Sequence, residues 1–198
     1  MKKILPWVIF ALLVSNGFSQ NPLQARLYFK DGTSITGFAN LVSIDKSKTH
    51  IKYREEFYSS NIKKIPSNQL TKIVYFKEEN RYEYYYLERY NKNKNRQRYP
   101  RWYKLVHEGY ISLFSNDRSP GELREYFIKH KGENAVSYVA TQGSLLDDWR
   151  FRRFAKRNFA DYKSLLKKIL SKENTIVDIE KVIKIYNTWL LDNKQQKK

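Results

Sequence analysis

Two periodicities divide this chain. Between residues 24 and 140, apolar and polar side chains alternate in short runs, the pattern of strands with one buried face. The runs fall at residues 24–29, 34–41, 50–54, 71–76, 81–90, 102–107, 110–114, 126–129 and 135–139. Turn-forming residues separate them: Asp31-Gly32, Pro66-Ser67-Asn68, Glu108-Gly109 and the 131–134 segment. The 81–90 run is the most strand-like, with Tyr82, Tyr84 and Tyr86 on one face and Tyr85 and Leu87 on the other. Short strands at this spacing predict an antiparallel β-sheet or a small barrel-like β region.

Beyond Gly143 the period lengthens to that of a helix. Ser144 and Asp147 have capping-box spacing, and Phe151, Phe154, Ala155 and Phe159 follow on one stripe. Asp161 is read as the cap of a second helix carrying Tyr162, Leu165, Leu166 and Ile169. Thr175 and Asp178 repeat the box before Ile176, Ile179, Val182, Ile183, Tyr186, Trp189 and Leu190. The predicted fold class is α+β, with the β-rich region first (20–142) and two to three C-terminal helices (143–192) packed on it as one unit. A polar tail closes the chain at 193–198.

The first nineteen residues have a different character. Lys2 and Lys3 precede an apolar run at residues 4–14, and Ser15, Asn16, Gly17 and Ser19 follow it. This is the layout of a secretory signal peptide, with cleavage expected between Ser19 and Gln20. The run is shorter than the roughly 20 residues that a membrane-spanning helix requires. No later stretch reaches that length, so no transmembrane segment is expected after cleavage. The expected destination is therefore outside the cytoplasm, periplasmic or secreted. There is no cysteine, which leaves no residue to carry a lipoprotein's lipid and no disulfide to support the core.

Charge narrows the partners. The formal net charge of +18 becomes +16 once Lys2 and Lys3 are removed. Such an excess favours anionic envelope components, namely lipopolysaccharide, acidic glycans or lipid head groups, while a lysine-rich solvated surface is the plainer alternative. An envelope protein is the other partner considered. Export weighs against nucleic acid.

Three motifs along the mature chain resemble a group of uncharacterised exported proteins of Bacteroidota. They are the extended segment Tyr28 to Thr33 with Gly37 beyond it, the hairpin His107 to Phe114, and a final helix reaching Tyr186-Asn187. The ending of the leader at Gly17-Phe18-Ser19-Gln20 is also similar to leaders of that phylum. The resemblance implies no activity. Where such proteins often carry a cysteine, this chain has Tyr162, so no redox role is implied.

Two basic segments are the candidate sites. The loop at 91–101 carries Lys92, Lys94, Arg96, Arg98 and Arg101, bracketed by Tyr90, Tyr99 and Trp102. Cations set between aromatic faces can clamp phosphate or carboxylate, although a charged hairpin tip also serves solubility. The second is the first C-terminal helix, with Arg150, Arg152, Arg153, Lys156 and Arg157 around Trp149, Phe151 and Phe154. A basic helix with aromatic residues can lie on an anionic membrane, but the phenylalanines equally fit a core-facing stripe. The tyrosines of 82–86 could form a stacking platform or simply pack within the sheet.

Catalysis finds little in the sequence. His50, His107 and His130 are isolated, and no metal-ligand spacing, phosphate loop or nucleophile elbow is present. The adjacent acids Glu55-Glu56, Glu78-Glu79 and Asp147-Asp148 do not make a dyad by spacing alone. No cofactor is implied. The leading expectation is a non-catalytic envelope protein that binds an anionic surface or polymer through the basic loop and helix. The alternatives are an interaction module of an envelope assembly and, less favoured, a glycan hydrolase.

Overall fold

The alternating segments form ten strands, followed by three helices. The computed structural model describes residues 21–42, 49–90, 100–116, 123–144 and 146–195. The signal-peptide reading of residues 1–19 lies outside them. The strands are β1 (Leu23–Phe29), β2 (Ser34–Ala39), β3 (His50–Arg54), β4 (Lys63–Pro66), β5 (Leu70–Lys77), β6 (Asn80–Arg89), β7 (Arg101–His107), β8 (Ile111–Asn116), β9 (Arg124–His130) and β10 (Ala135–Gln142). The helices are α1 (Asp147–Asn158), α2 (Lys163–Leu170) and α3 (Ile179–Gln195). The fold is α+β, sheet first and helices last. No helix among the described residues is long and apolar enough to cross a membrane.

All ten strands join one sheet in the order β10-β9-β8-β7-β6-β5-β1-β2-β3-β4. A further pairing changes its shape. The end of β6 runs parallel to the start of β10, with Glu88 opposite Ala135 and Arg89 opposite Val136, and Tyr90 N donates to Val136 O at 2.7 Å. Strands β6 to β10 thereby close into a five-stranded ring. The remaining strands extend from the β5 side of β6, where residues 80–85 pair with residues 72–77.

The period of two along β6 decides which core each side chain enters. Tyr82, Tyr84 and Tyr86 pack against a cluster drawn mainly from β1 to β5 that includes Leu27, Ile73 and Tyr75, with Trp102 of β7. Tyr85 and Leu87 pack with Tyr103, Phe114, Phe127 and Val136, a cluster drawing on all five strands of the ring. Neighbouring positions on β8 and β9 point outward. Leu113 and Ile128 form a third cluster with Phe151, Phe159, Ile179 and Ile183 of the helical segment. The tyrosines of 82–86 therefore serve packing, each of them half-buried.

Two local readings are corrected. Strand β4 was not expected, because a four-residue run with two lysines shows no apolar alternation. It lies at the sheet's outer edge and ends at Pro66, leading into a short 3₁₀ turn at Ser67–Gln69. Asp161 does not cap α2. The capping position is Tyr162, without a side-chain bond, and both oxygens of Asp161 accept from the Tyr186 hydroxyl, at 3.0 and 2.9 Å. Burial and this anionic acceptor hold the Tyr186 phenol well above its ordinary range. Thr175 and Asp178 do form a capping box, with Thr175 N donating to Asp178 Oδ2 at 2.9 Å.

One side chain ties α3 to the ring. Asn187, buried within the helix, accepts from Ile111 N and donates to Ile111 O, both at 2.9 Å. The amide occupies the place a neighbouring strand would take, satisfying both backbone groups of Ile111. Gly109 makes room for it, since a Cβ there would stand 2.3 Å from Asn187 Nδ2. Replacing Asn187 with Ala leaves two buried backbone groups unpaired and is expected to destabilise the fold by about 2–4 kcal/mol. Gly109→Ala is also expected to destabilise, but by less in the Asn187→Ala background, where the clash is gone. A double-mutant cycle in urea unfolding measures the coupling, and additive costs would refute the contact.

Candidate functional site

The first helix is placed by its apolar stripe. Phe151 and Ala155 are fully buried and Phe154 nearly so, packed against β10 and the other helices. With that stripe turned inward, the 100° step of the helix distributes the cations over its two flanks. Arg150, Arg153 and Arg157 line one depression, and Arg152, Arg153 and Lys156 line another. Asp147 and Asp148 in the first turn, with Lys156 and Arg157 in the last, suit the helix dipole.

The first depression is a cleft of about 520 Å³ between α1, β10 and the end of β6. Tyr90, Tyr138 and Trp149 supply aromatic surface, and Ser137 and Asn158 supply polar groups. Arg150 Nη1 donates to Tyr138 Oη at 3.4 Å, and that hydroxyl lies 2.6 Å from Thr141 Oγ1. The Arg153 guanidinium sits 5.3 Å from the centroid of the Trp149 ring. Arg157 Nε donates to the Arg153 carbonyl at 3.4 Å. Behind Tyr138, the Arg89 guanidinium lies over the rings of Tyr138 and Phe127, at 5.0 and 5.3 Å.

No carboxylate among the described residues lines either depression. Among the described residues, none pairs with Arg150, Arg152, Arg153, Lys156 or Arg157. Cations grouped without counterions repel one another, and an incoming phosphate or carboxylate relieves that repulsion. The acids nearest in sequence are engaged elsewhere. Asp147 accepts from Ser144 N and Asp148 from Ile176 N.

Of the other candidate site, only Arg101 and Trp102 fall among the described residues. Lys92, Lys94, Arg96 and Arg98 lie outside the described residues. Arg101 is half-buried at the start of β7, opposite Leu87. Trp102 belongs to the core. Its ring is 2% exposed and its indole N–H donates to Ser67 Oγ at 3.2 Å, so it offers no face to a ligand. Tyr138 and Ser137 carry no local signal that marks them. They reach the cleft through the pairing of β10, and only the folded arrangement shows them.

His50, His107 and His130 stand on three different strands. Among the described residues, no group of three His, Asp or Glu side chains converges as a metal site. Compared with models of protein families, with curated proteins and with solved structures, the chain matches none of them.

The His107 imidazole is held below the ordinary histidine range, first by burial and then by the Lys184 ammonium, against an opposing pull from Glu180. Unfolding therefore favours protonation of His107. Its contribution to stability is complete above the unfolded pKa of about 6.5 and is lost as pH falls from there through the lower folded value. His107→Gln is expected to flatten that part of a stability–pH profile, and an unchanged slope between pH 7 and 5 would contradict the assignment.

Proposed function

We propose that this is an exported, non-catalytic envelope protein that binds phosphate or carboxylate groups of an anionic envelope component through the α1 cleft. One observation carries the reading. Arg150, Arg153 and Arg157 converge with Tyr90, Tyr138 and Trp149 on a cleft that, among the described residues, no carboxylate lines. Guanidinium groups favour planar, bidentate anions, and aromatic walls favour the sugar or hydrocarbon that bears them. Lipopolysaccharide phosphates, acidic glycans and lipid head groups all present that combination.

The hydrolase alternative lacks comparable support. Glycoside cleavage uses two carboxylates across a cleft, roughly 5–10 Å apart, and neither depression beside α1 has even one. The remaining paired acids are on the surface or in local structure. Glu55 is exposed and paired with Lys63.

The test is binding to lipopolysaccharide and to a soluble polyanion such as heparin across a salt titration. The protein is expected to bind at low salt and to release as salt rises. The variant Arg150→Ala/Arg153→Ala/Arg157→Ala is expected to bind roughly tenfold more weakly, on about 0.5 kcal/mol per exposed charge contact. Its thermal unfolding should be close to the parent's, because the three side chains lie outside the core. Equal affinity in the folded variant, or binding indifferent to salt, would overturn the proposal.

A further inference from the structure

The second depression adjoins the first but differs in character. It measures about 460 Å³ and is lined by Trp149, Arg152, Arg153, Lys156 and Leu170. Trp149 is 52% exposed and Leu170 37%. Leu146, just before the helix, is 51% exposed. Large apolar side chains left in water beside cations are not explained by the packing of this fold. Leu146 and Leu170 are also not explained by a soluble polyanion, which the cations and the aromatic walls would hold.

We propose that the anionic component is a lipid bilayer surface, and that the face bearing Trp149, Arg152, Lys156 and Leu170 lies against its head groups. This rests on the reading of α1 as an anion-binding helix and names its partner. Charge segregation supports it. Residues 149–171 contain eight lysines and arginines and a single acid, Asp161, whose carboxylate is bonded by Tyr186. A juxtaposed anionic leaflet meets almost no like charge there. Trp149 suits the boundary itself, since an indole combines an apolar body with a polar N–H and concentrates at the head-group level.

The contact is shallow. An interfacial helix ordinarily sinks its apolar stripe into the acyl boundary, but Phe151, Phe154 and Ala155 are buried in the core and cannot turn outward without unfolding the segment. What reaches the lipid is the flank: Trp149 and Leu170 as apolar anchors, with Arg152, Arg153 and Lys156 paired to phosphates. Such binding depends on charge and reverses in salt.

The experiment uses vesicles of phosphatidylethanolamine with and without phosphatidylglycerol, and heparin as the soluble control. Co-sedimentation is expected only with the phosphatidylglycerol vesicles and only at low salt. With the chain from Gln20 onward, which lacks Trp7, tryptophan emission should shift to the blue on those vesicles and lose the shift in Trp149→Phe, because Trp102 is buried and Trp189 half-buried. Leu170→Ala, at a residue that lines only the second depression, is expected to weaken vesicle binding about threefold while keeping heparin retention unchanged. Heparin binding without vesicle binding would overturn this inference and leave the proposed function standing. Loss of both in the parent protein would overturn both. Equal binding to neutral vesicles, or a folded Leu170→Ala variant that binds vesicles like the parent, would overturn the assignment of this face.

Discussion

Everything at the α1 end of the molecule depends on a short parallel ladder. Without the pairing of Glu88 and Arg89 with Ala135 and Val136, β6 to β10 would be an open meander with β10 as a free edge. With it, the start of β10 is paired to β6 and its remainder to β9, and five strands enclose an aromatic interior. Closure is possible because β6 is ten residues long. Its first half pairs with β5 and its last residues pair with β10 along the same edge, so one strand serves both the ring and the strands that extend from it. Its two faces feed two cores for the same reason.

The cleft follows from that closure by geometry. Joining β10 to the end of β6 brings Tyr90 beside Ser137 and Tyr138, and α1 begins five residues beyond β10. The helix has little choice of orientation, because Phe151, Phe154 and Ala155 must leave water. Burying that stripe exposes both basic flanks, one against the strand ends and one beside α2. The positive surface is thus a by-product of core packing in its position, while its composition is not. Five cations with no carboxylate opposite them among the described residues repel one another, a cost to the isolated fold.

Much of the architecture was legible in the residues. The alternation of Tyr82 to Leu87 announced a two-faced strand, and Asp31-Gly32 and Glu108-Gly109 marked turns that the structure retains. The Thr175–Asp178 box marked the start of the last helical segment. Strand β4 was hidden because an edge strand with two lysines and a terminal proline resembles a loop in composition. Asp161 misled because a local capping signal and a long-range acceptor use the same carboxylate. The basic flank of α1 was legible as charge, but its division into two depressions was not, since that depends on what lies opposite each flank. Trp102 shows the converse. Beside a run of cations it read as part of a binding loop, yet the alternation of β7 sends it into the core.

The bond between Asn187 and Ile111 spans 76 positions in the sequence, and this has a temporal meaning. The outward faces of β8 and β9 are apolar, and the only cover they have among the described residues is the helical segment that follows. A chain emerging from its N-terminus can assemble β1 to β5 from nearby contacts. The ring half cannot shed its wet apolar surface until α3 has arrived. Late, distant contacts of this kind slow folding and prolong the interval in which partly folded chains meet one another. The molecule is built to stay unfinished until nearly its last helix is made.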